Sequence, residues 1–195
     1  KIIMKLLIIE GPDRCGKNTL IKNLTSQAEN YVVRHFGSAK GKNDFEKRNF
    51  QFQFFKKEFA LAAIRSQFEM PDKERYPRDI WIMNRAHLGE FVYGKMYRET
   101  HPEQWVIQME SLFGMDLDPS VYLLLLTAPA EFLCKRDDGL SFSNKVMDKQ
   151  AEISAFRNAF EQSRIINKKI LDVSNGDEYL DEAIILDQVN KFLCF

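Results

Sequence analysis

Two patterns of apolar residues alternate along the chain. Short, continuous apolar runs predict β-strands, and longer stretches with an apolar residue every three or four positions predict amphipathic helices. The run from Ser120 to Thr127 is typical of a parallel strand that is buried on both faces. The predicted strands are 2–9, 31–36, 78–83, 120–127 and 169–174. The predicted helices are a first one from Leu20, then 45–68, 88–98, part of 100–113, 129–136, 147–165 and 178–195. Five strands that alternate with helices predict an α/β fold with a parallel sheet covered by helices on both faces.

A glycine loop with the spacing of a phosphate-binding P-loop follows the first strand. Gly11 and Gly16 let the backbone turn inward, so that its N–H groups and the start of the next helix surround phosphate oxygens. Lys17 would then reach the β- and γ-phosphates of a nucleotide. A surface turn is the alternative, but such a turn needs neither two glycines nor a lysine at this spacing. The residues predicted to bind ATP are Gly11, Pro12, Asp13, Arg14, Cys15, Gly16, Lys17, Asn18 and Thr19.

Composition narrows the classes of partner and the number of domains. A chain of 195 residues with 45% hydrophobic content predicts a single domain over 1–195. Its 28 basic and 28 acidic side chains balance, so we expect no long nucleic acid as a partner. No apolar run approaches the ~20 residues that span a bilayer, and the N-terminal run leads into the P-loop, not into a cleavage site. We therefore expect a soluble, cytoplasmic protein that acts on small molecules.

The three cysteines, Cys15, Cys134 and Cys194, are too far apart for a disulfide framework or a zinc site. Cys15 lies beside Lys17 and a predicted helix N-terminus, which could lower the pKa of its thiol. A role as a small filler in the loop is the favoured interpretation.

Three segments resemble the thymidylate kinase family of nucleoside monophosphate kinases, especially its bacteriophage type. The first is Gly11 to Lys17, with the pair Asp13-Arg14 inside the loop. The second is Asn84 to Gly94, with Tyr97-Arg98 after it. The third is Lys135-Arg136 before a polar loop, together with the helix segment 151–163. The resemblance implies the P-loop kinase fold, ATP and Mg²⁺ as cofactors, a lid at about 137–147, a homodimer and, for a viral chain, the host cytoplasm.

The resemblance also assigns roles to side chains. Transfer of a phosphoryl group between two nucleotides gathers roughly six or more negative charges, which a protein must balance with placed cations. Asp13 would contact the sugar of the acceptor, and Arg14 and Arg85 would hold the acceptor and transferring phosphates. Arg136 would approach the donor from the lid. The catalytic candidates are therefore Lys17, Arg14, Arg85 and Arg136, and the acceptor-binding candidates are Asp13, Arg65, Arg85 and Tyr93.

Two positions depart from the family pattern, and both belong to groups that organise the metal. Asn18 replaces the serine or threonine that a Walker loop usually offers to Mg²⁺, and Asn84 replaces the aspartate before Arg85. An amide oxygen still accepts a hydrogen bond from a metal-bound water, but it carries no charge. We expect weakened metal use, with Glu10 and Asp13 as the nearby carboxylates.

Three functions compete on this basis. The leading hypothesis is ATP-dependent phosphoryl transfer to a deoxynucleoside monophosphate, dTMP or a modified pyrimidine. A kinase that acts on a deoxynucleoside or on a modified base in DNA is the first alternative, although it needs a carboxylate base that the segment 84–86 lacks. A nucleotide-binding protein with weakened catalysis is the second, and Asn18 and Asn84 are its support.

Overall fold

The computed structural model of the chain describes residues 5–28, 31–67, 80–136, 139 and 141–195, without the side chains of residues 59 and 62–67. Several predictions lie outside this part of the chain. They concern the start of the first strand (2–4), the end of the long helix at position 68, the start of the third strand (78–79), positions 137, 138 and 140 of the lid, and the side chain of Arg65.

Five parallel strands form one sheet, which confirms the predicted architecture. The strands are β1 (Lys5–Glu10), β2 (Tyr31–His35), β3 (Ile80–Asn84), β4 (Val121–Thr127) and β5 (Asn167–Asp172). Their order is β2-β3-β1-β4-β5, so β1 lies in the middle, between β3 and β4. The loops that follow β1 and β3 are therefore neighbours at the carboxyl edge of the sheet, where open α/β sheets bind ligands.

Helices pack on both faces of the sheet. They are α1 (Lys17–Gln27), α2 (Asp44–Gln67), α3 (His87–Tyr97), α4 (Val106–Leu112), α5 (Ala130–Cys134), α6 (Val146–Gln162) and α7 (Glu182–Phe192), with a 3₁₀ turn at Pro102–Gln104. Successive side chains of a strand point to opposite faces. Leu6 and Ile8 accordingly join a core with Phe55 of α2, whereas Leu7 and Ile9 join a second core with residues of α1 and α7. This double burial explains why the strands are continuously apolar.

A small hairpin after β5 was not predicted. It pairs β6 (Ser174–Asn175) with β7 (Glu178–Tyr179) around Gly176, which has a left-handed φ of 62°. The predicted helix 178–195 is therefore wrong at its start, because α7 begins only at Glu182. Asp181 fixes that start, since its side chain accepts a hydrogen bond from the backbone N–H of Ala183 at 2.7 Å.

Helix length and composition also bear on membranes. Within the described ranges, every helix is either too short or too polar to cross a bilayer.

Candidate active site

The loop after β1 has the backbone geometry of a phosphate cradle. Gly11 has a φ of 136°, and a Cβ at this position would overlap the carbonyl oxygen of Leu126 on β4. Gly16 lies immediately before α1 with a left-handed φ of 71° and has no side chain to cap the helix. The first turn of α1 also contains no acidic residue. The N–H groups and the positive dipole at the start of α1 thus suit the binding of an external anion.

Lys17 lies inside this loop. Its ammonium donates hydrogen bonds to the carbonyl oxygens of Gly11 at 2.7 Å and Pro12 at 2.5 Å, and the residue is only 7% exposed. Burial lowers the pKa of Lys17, an effect that the charge of Arg85 reinforces. The loop thus closes around this side chain.

A second turn, between β3 and α3, stands beside the P-loop. Arg85 adopts a left-handed φ of 62° there, and its backbone N–H donates to the carbonyl of Ile9 at 2.9 Å. The carboxylate of Glu10 is fully buried and accepts the backbone N–H groups of Ala86, Leu88 and Gly89 at 2.9, 3.0 and 3.3 Å. Glu10 therefore caps α3 from a distant strand and fixes the turn that carries Arg85.

Asp13 and Arg85 form an ion pair across the two turns. The Arg85 side chain is 32% exposed and that of Asp13 is 23% exposed, so both still face the solvent of the cleft. Asp13, which is predicted to contact the acceptor sugar, thus lies beside Arg85, which is predicted to hold phosphates.

The two asparagines that depart from the family pattern contact each other. The side-chain amide of Asn84 donates a hydrogen bond to the amide oxygen of Asn18 at 2.8 Å. The other polar atom of Asn84, its Oδ1, is buried and has no hydrogen-bond partner among the described residues. The positions expected to organise a metal are thus adjacent, and one amide oxygen there is left to accept a hydrogen bond.

A cleft of about 540 Å³ lies over these residues. Three cations and one carboxylate contribute to its walls within the described part of the chain: Arg14, Lys17, Arg85 and Asp13. His35 also lines the cleft, but burial and the charges of Arg85 and Lys17 lower its pKa, which keeps the imidazole neutral at pH 7. Phe142 and Tyr179 complete the walls. The cleft is therefore cationic at its centre and aromatic in part of its walls.

Cys15 is the filler that the sequence favoured. Its side chain is completely buried, and this burial raises the pKa of the thiol to about 12. The alternative of a lowered pKa is wrong, because the loss of water around the sulfur outweighs the charge of Lys17.

Arg136 is the one predicted catalytic residue outside the walls of this cleft. Its guanidinium lies 3.6 Å from the ring centre of Phe132 and donates to the backbone carbonyls of Phe132, at 3.1 Å, and Asp177. It is thus bound to the β6–β7 hairpin. Beside the hairpin, a more apolar pocket of about 250 Å³ runs between α1 and α7 and shares Gly16, Thr19 and Tyr179 with the cleft.

Tyr93 lies behind the cleft. Its hydroxyl donates to Glu152 at 2.5 Å, and Lys149 donates to the same carboxylate at 2.9 Å. Burial and the charge of Glu152 raise the pKa of Tyr93. The ring of Phe142 lies 5.6 Å from that of Tyr93 and stacks on Tyr97 at 4.5 Å. Phe142 thus lines the cleft and packs on both tyrosines, whereas Tyr93 is not among the residues that line it. No sequence signal indicated Lys149 or Glu152.

Similarity to known structures supports the fold. The YorR protein from Bacillus subtilis, solved in complex with phosphorylated GDP, superposes with a TM-score of 0.67 at 16% identity, over 97% of this chain and 95% of its own. The thymidylate kinase from Candida albicans superposes with a TM-score of 0.62 at 15% identity, over 97% of this chain and 91% of its own. The thymidylate kinase from Ehrlichia chaffeensis superposes with a TM-score of 0.61 at 12% identity, over 97% of this chain and 98% of its own. No protein-family model and no curated protein sequence matches the chain. The chain thus shares with these proteins an α/β fold built on a five-stranded parallel sheet.

Proposed function

We propose that this protein transfers the terminal phosphoryl group of ATP to a deoxynucleoside monophosphate, dTMP or a modified pyrimidine nucleotide, and releases the two diphosphates. One observation carries the proposal. Lys17, Arg14 and Arg85 line a single cleft at the N-terminal end of α1, which no side chain at its N-cap closes. Such a concentration of cations and N–H groups suits a reaction that gathers phosphate charge.

The donor and the acceptor take opposite parts of the cleft in this proposal. The P-loop N–H groups and Lys17 hold the donor phosphates, and the adjoining apolar pocket receives the donor base. Arg85 binds the acceptor phosphate, while Asp13 orients its guanidinium and accepts a hydrogen bond from the acceptor sugar. Arg136 would have to leave the hairpin to reach the donor phosphates, so we assign it a role only in the closed complex.

An acceptor that is already anionic matches the carboxylates of the site. Glu10 is fully buried and is not among the residues that line the cleft, and Asp13 is paired with Arg85. Neither is positioned as a base for a neutral hydroxyl. A nucleoside monophosphate needs no such base, because its phosphate is ionised at neutral pH. This favours a monophosphate over a nucleoside, or a base in DNA, as the acceptor.

The residues of the cleft fit Mg²⁺ through water. Asn84 offers its buried, unpartnered Oδ1, and Asn18 offers an amide oxygen that already accepts one hydrogen bond. The described residues contain no group of three or more His, Cys, Asp and Glu side chains that could hold a metal. When bound, Mg²⁺ supplies charge neutralisation on the nucleotide phosphates, which themselves provide most of its ligands. The two asparagines would orient its waters.

The test measures ADP release from ATP and Mg²⁺ with each deoxynucleoside monophosphate in turn, and with the corresponding deoxynucleosides. We expect release with a pyrimidine monophosphate and none with deoxynucleosides. Lys22→Ala, which changes an exposed lysine of α1, is the control for Lys17→Ala. If ADP is released only with deoxynucleosides, the acceptor is a nucleoside and not a nucleoside monophosphate. If the protein binds ATP but no acceptor causes ADP release, it is a nucleotide-binding protein with weakened catalysis. The uncharged Asn18–Asn84 contact is the observation that favours this alternative.

A further inference from the structure

Tyr179 of the β6–β7 hairpin stands where the cationic cleft meets the apolar pocket, and it lines both. Its hydroxyl donates a hydrogen bond of 2.6 Å to the backbone carbonyl of Arg14, inside the P-loop and 165 residues away in sequence. The side chain thus contacts the phosphate loop through the backbone of that loop.

The geometry of the peptide bond gives this contact a consequence. In a trans peptide the C=O and the following N–H point in opposite directions from one rigid plane. A donor that holds the Arg14 carbonyl on the hairpin side therefore turns the N–H of Cys15 away from the hairpin. Arg14 has a left-handed φ of 71°, which costs a residue with a side chain some energy and needs support from its surroundings. The hydrogen bond from Tyr179 gives that support.

We propose that Tyr179 is a positioning residue of the phosphate loop: it fixes the Arg14–Cys15 peptide so that the Cys15 N–H is directed at the donor phosphates. This inference rests on the proposed function in taking the loop as the donor phosphate site. Tyr179 acts through the loop backbone. Its hydrogen bond holds the loop in the phosphate-binding conformation before the ligand arrives.

The hairpin is anchored well enough to place the hydroxyl. Asp177 lies in the turn of the hairpin. Its carboxylate pairs with Lys135 at 2.6 Å, and its backbone carbonyl accepts a hydrogen bond from Arg136. The ring of Tyr179 packs edge-on against Phe132, with 4.9 Å between ring centres. Residues 132–136 thus hold the hairpin from the side of α5, while Tyr179 bonds to the P-loop from the hairpin.

Two other roles for Tyr179 give different results. If its ring served only as a wall of the apolar pocket, removal of the hydroxyl would leave phosphate binding unchanged. If it served only the stability of the hairpin, removal would weaken every ligand in proportion to a loss of folded protein. The positioning role affects phosphate binding alone, with stability and acceptor binding preserved.

The experiment measures dissociation constants by calorimetry for ATP, tripolyphosphate and dTMP without metal. Tyr179→Phe keeps the ring and removes the hydroxyl, Tyr179→Leu removes both, and Tyr31→Phe removes the hydroxyl of an exposed tyrosine on β2 as the control. For Tyr179→Phe we expect about 3- to 10-fold weaker binding of both ATP and tripolyphosphate, the usual loss for one neutral hydrogen bond. The affinity for dTMP and the thermal midpoint should not change. Tyr179→Leu should lose as much for tripolyphosphate and more for ATP.

Wild-type affinity of Tyr179→Phe for tripolyphosphate would overturn the inference, as would an equal loss for dTMP. A wild-type protein that binds neither ATP nor tripolyphosphate would overturn both this inference and the proposed function. If the expected pattern is found but no acceptor is phosphorylated, the positioning role stands and the proposed function fails.

Discussion

The chain makes two similar turns at the carboxyl edge of its sheet and uses them in opposite ways. One joins β1 to α1 and the other joins β3 to α3, and the two strands are hydrogen-bonded neighbours. Each turn contains a residue other than glycine with a left-handed φ, Arg14 at 71° and Arg85 at 62°. Each is followed by a helix whose first N–H groups have no partner within the helix.

The difference lies in what satisfies those N–H groups. At α3 the buried carboxyl group of Glu10 accepts three of them, so the protein supplies its own acceptor, although burial raises the pKa of this group. At α1 the N-cap is Gly16, and the first turn contains no acidic residue. The start of α1, which has no side-chain cap, therefore suits an external acceptor of those N–H groups, such as a phosphate. The hydrogen bonds to Glu10 fix the turn that carries Arg85.

The largest effect should come from the junction at α1. We expect Lys17→Ala to lower kcat by at least about 100-fold, because it removes the fixed cation on the donor phosphates. Its buried amine also satisfies two loop carbonyls, so the variant should lose some stability as well. Steady-state kinetics and thermal unfolding, with Lys22→Ala as the control, separate the two losses. Wild-type turnover in a folded Lys17→Ala protein would contradict the P-loop assignment.

The junction at α3 should respond in stability. Glu10→Ala leaves three buried N–H groups without an acceptor and should lower the free energy of unfolding by about 2–3 kcal/mol. Glu10→Gln keeps an acceptor oxygen and should lose less. Urea denaturation measures both, and Glu131→Ala, at an exposed acidic residue in the first turn of α5, is the control. If Glu10→Ala is as stable as Glu131→Ala, internal capping is not what distinguishes the two helices.

The contact between the junctions should set the demand for metal. Asn84→Asp adds a charge beside Asn18 and should lower the Mg²⁺ concentration for half-maximal activity several-fold, and Asn18→Ser should act in the same direction. A titration of activity against Mg²⁺ tests this, with the exposed Asn49→Asp as the control. An unchanged Mg²⁺ requirement in both variants would show that these asparagines do not organise the metal. If only the reverted proteins transfer phosphate, the native chain is a nucleotide-binding protein.

The smallest effect concerns pH at the start of α3. His87, the first residue of that helix, contacts the buried carboxylate of Glu110 at 2.6 Å. Although burial alone would raise the pKa of Glu110, hydrogen bonds from His87, Ser163 and the Arg164 N–H lower it below its ordinary value. A lowered pKa adds stability above the ordinary value of 4.5, and this is lost as the pH falls through the folded value. Urea unfolding between about pH 6 and pH 3 should therefore show a smaller pH slope for Glu110→Gln. Equal slopes would remove Glu110 from this account.

Local patterns were enough to predict the sheet and the phosphate loop. β4 is continuously apolar because both of its faces are buried, and the Gly11–Gly16 spacing marks the loop directly. The hairpin also had a local signal, the turn pair Gly176-Asp177, which is typical of tight hairpin turns, whereas the predicted helix took in its second strand from Glu178. With it, the contact of Tyr179 with the P-loop was missed.

Other features of the site depend on residues that are far apart in sequence. Glu10 was expected near a metal, yet it caps a helix 76 residues later. The sequence marked Asn18 and Asn84 as separate departures from the family pattern. Their hydrogen bond was not predicted, because local sequence patterns do not indicate contacts between positions 66 apart. The burial of Lys17 likewise depends on how the loop closes in three dimensions. The sequence therefore identified the chemical groups, while their partners had to come from the structure.

The central position of β1 has a consequence for the order in which the site can assemble during synthesis. The strand that leads into the phosphate loop pairs only with β3 and β4, so its neighbours are made long after it. The loop also accepts a hydrogen bond from Tyr179, which is made more than 160 residues after it. Contacts between such distant positions slow folding, because long loops must close first. A growing chain should thus reach its full nucleotide affinity late, once the hairpin has left the ribosome.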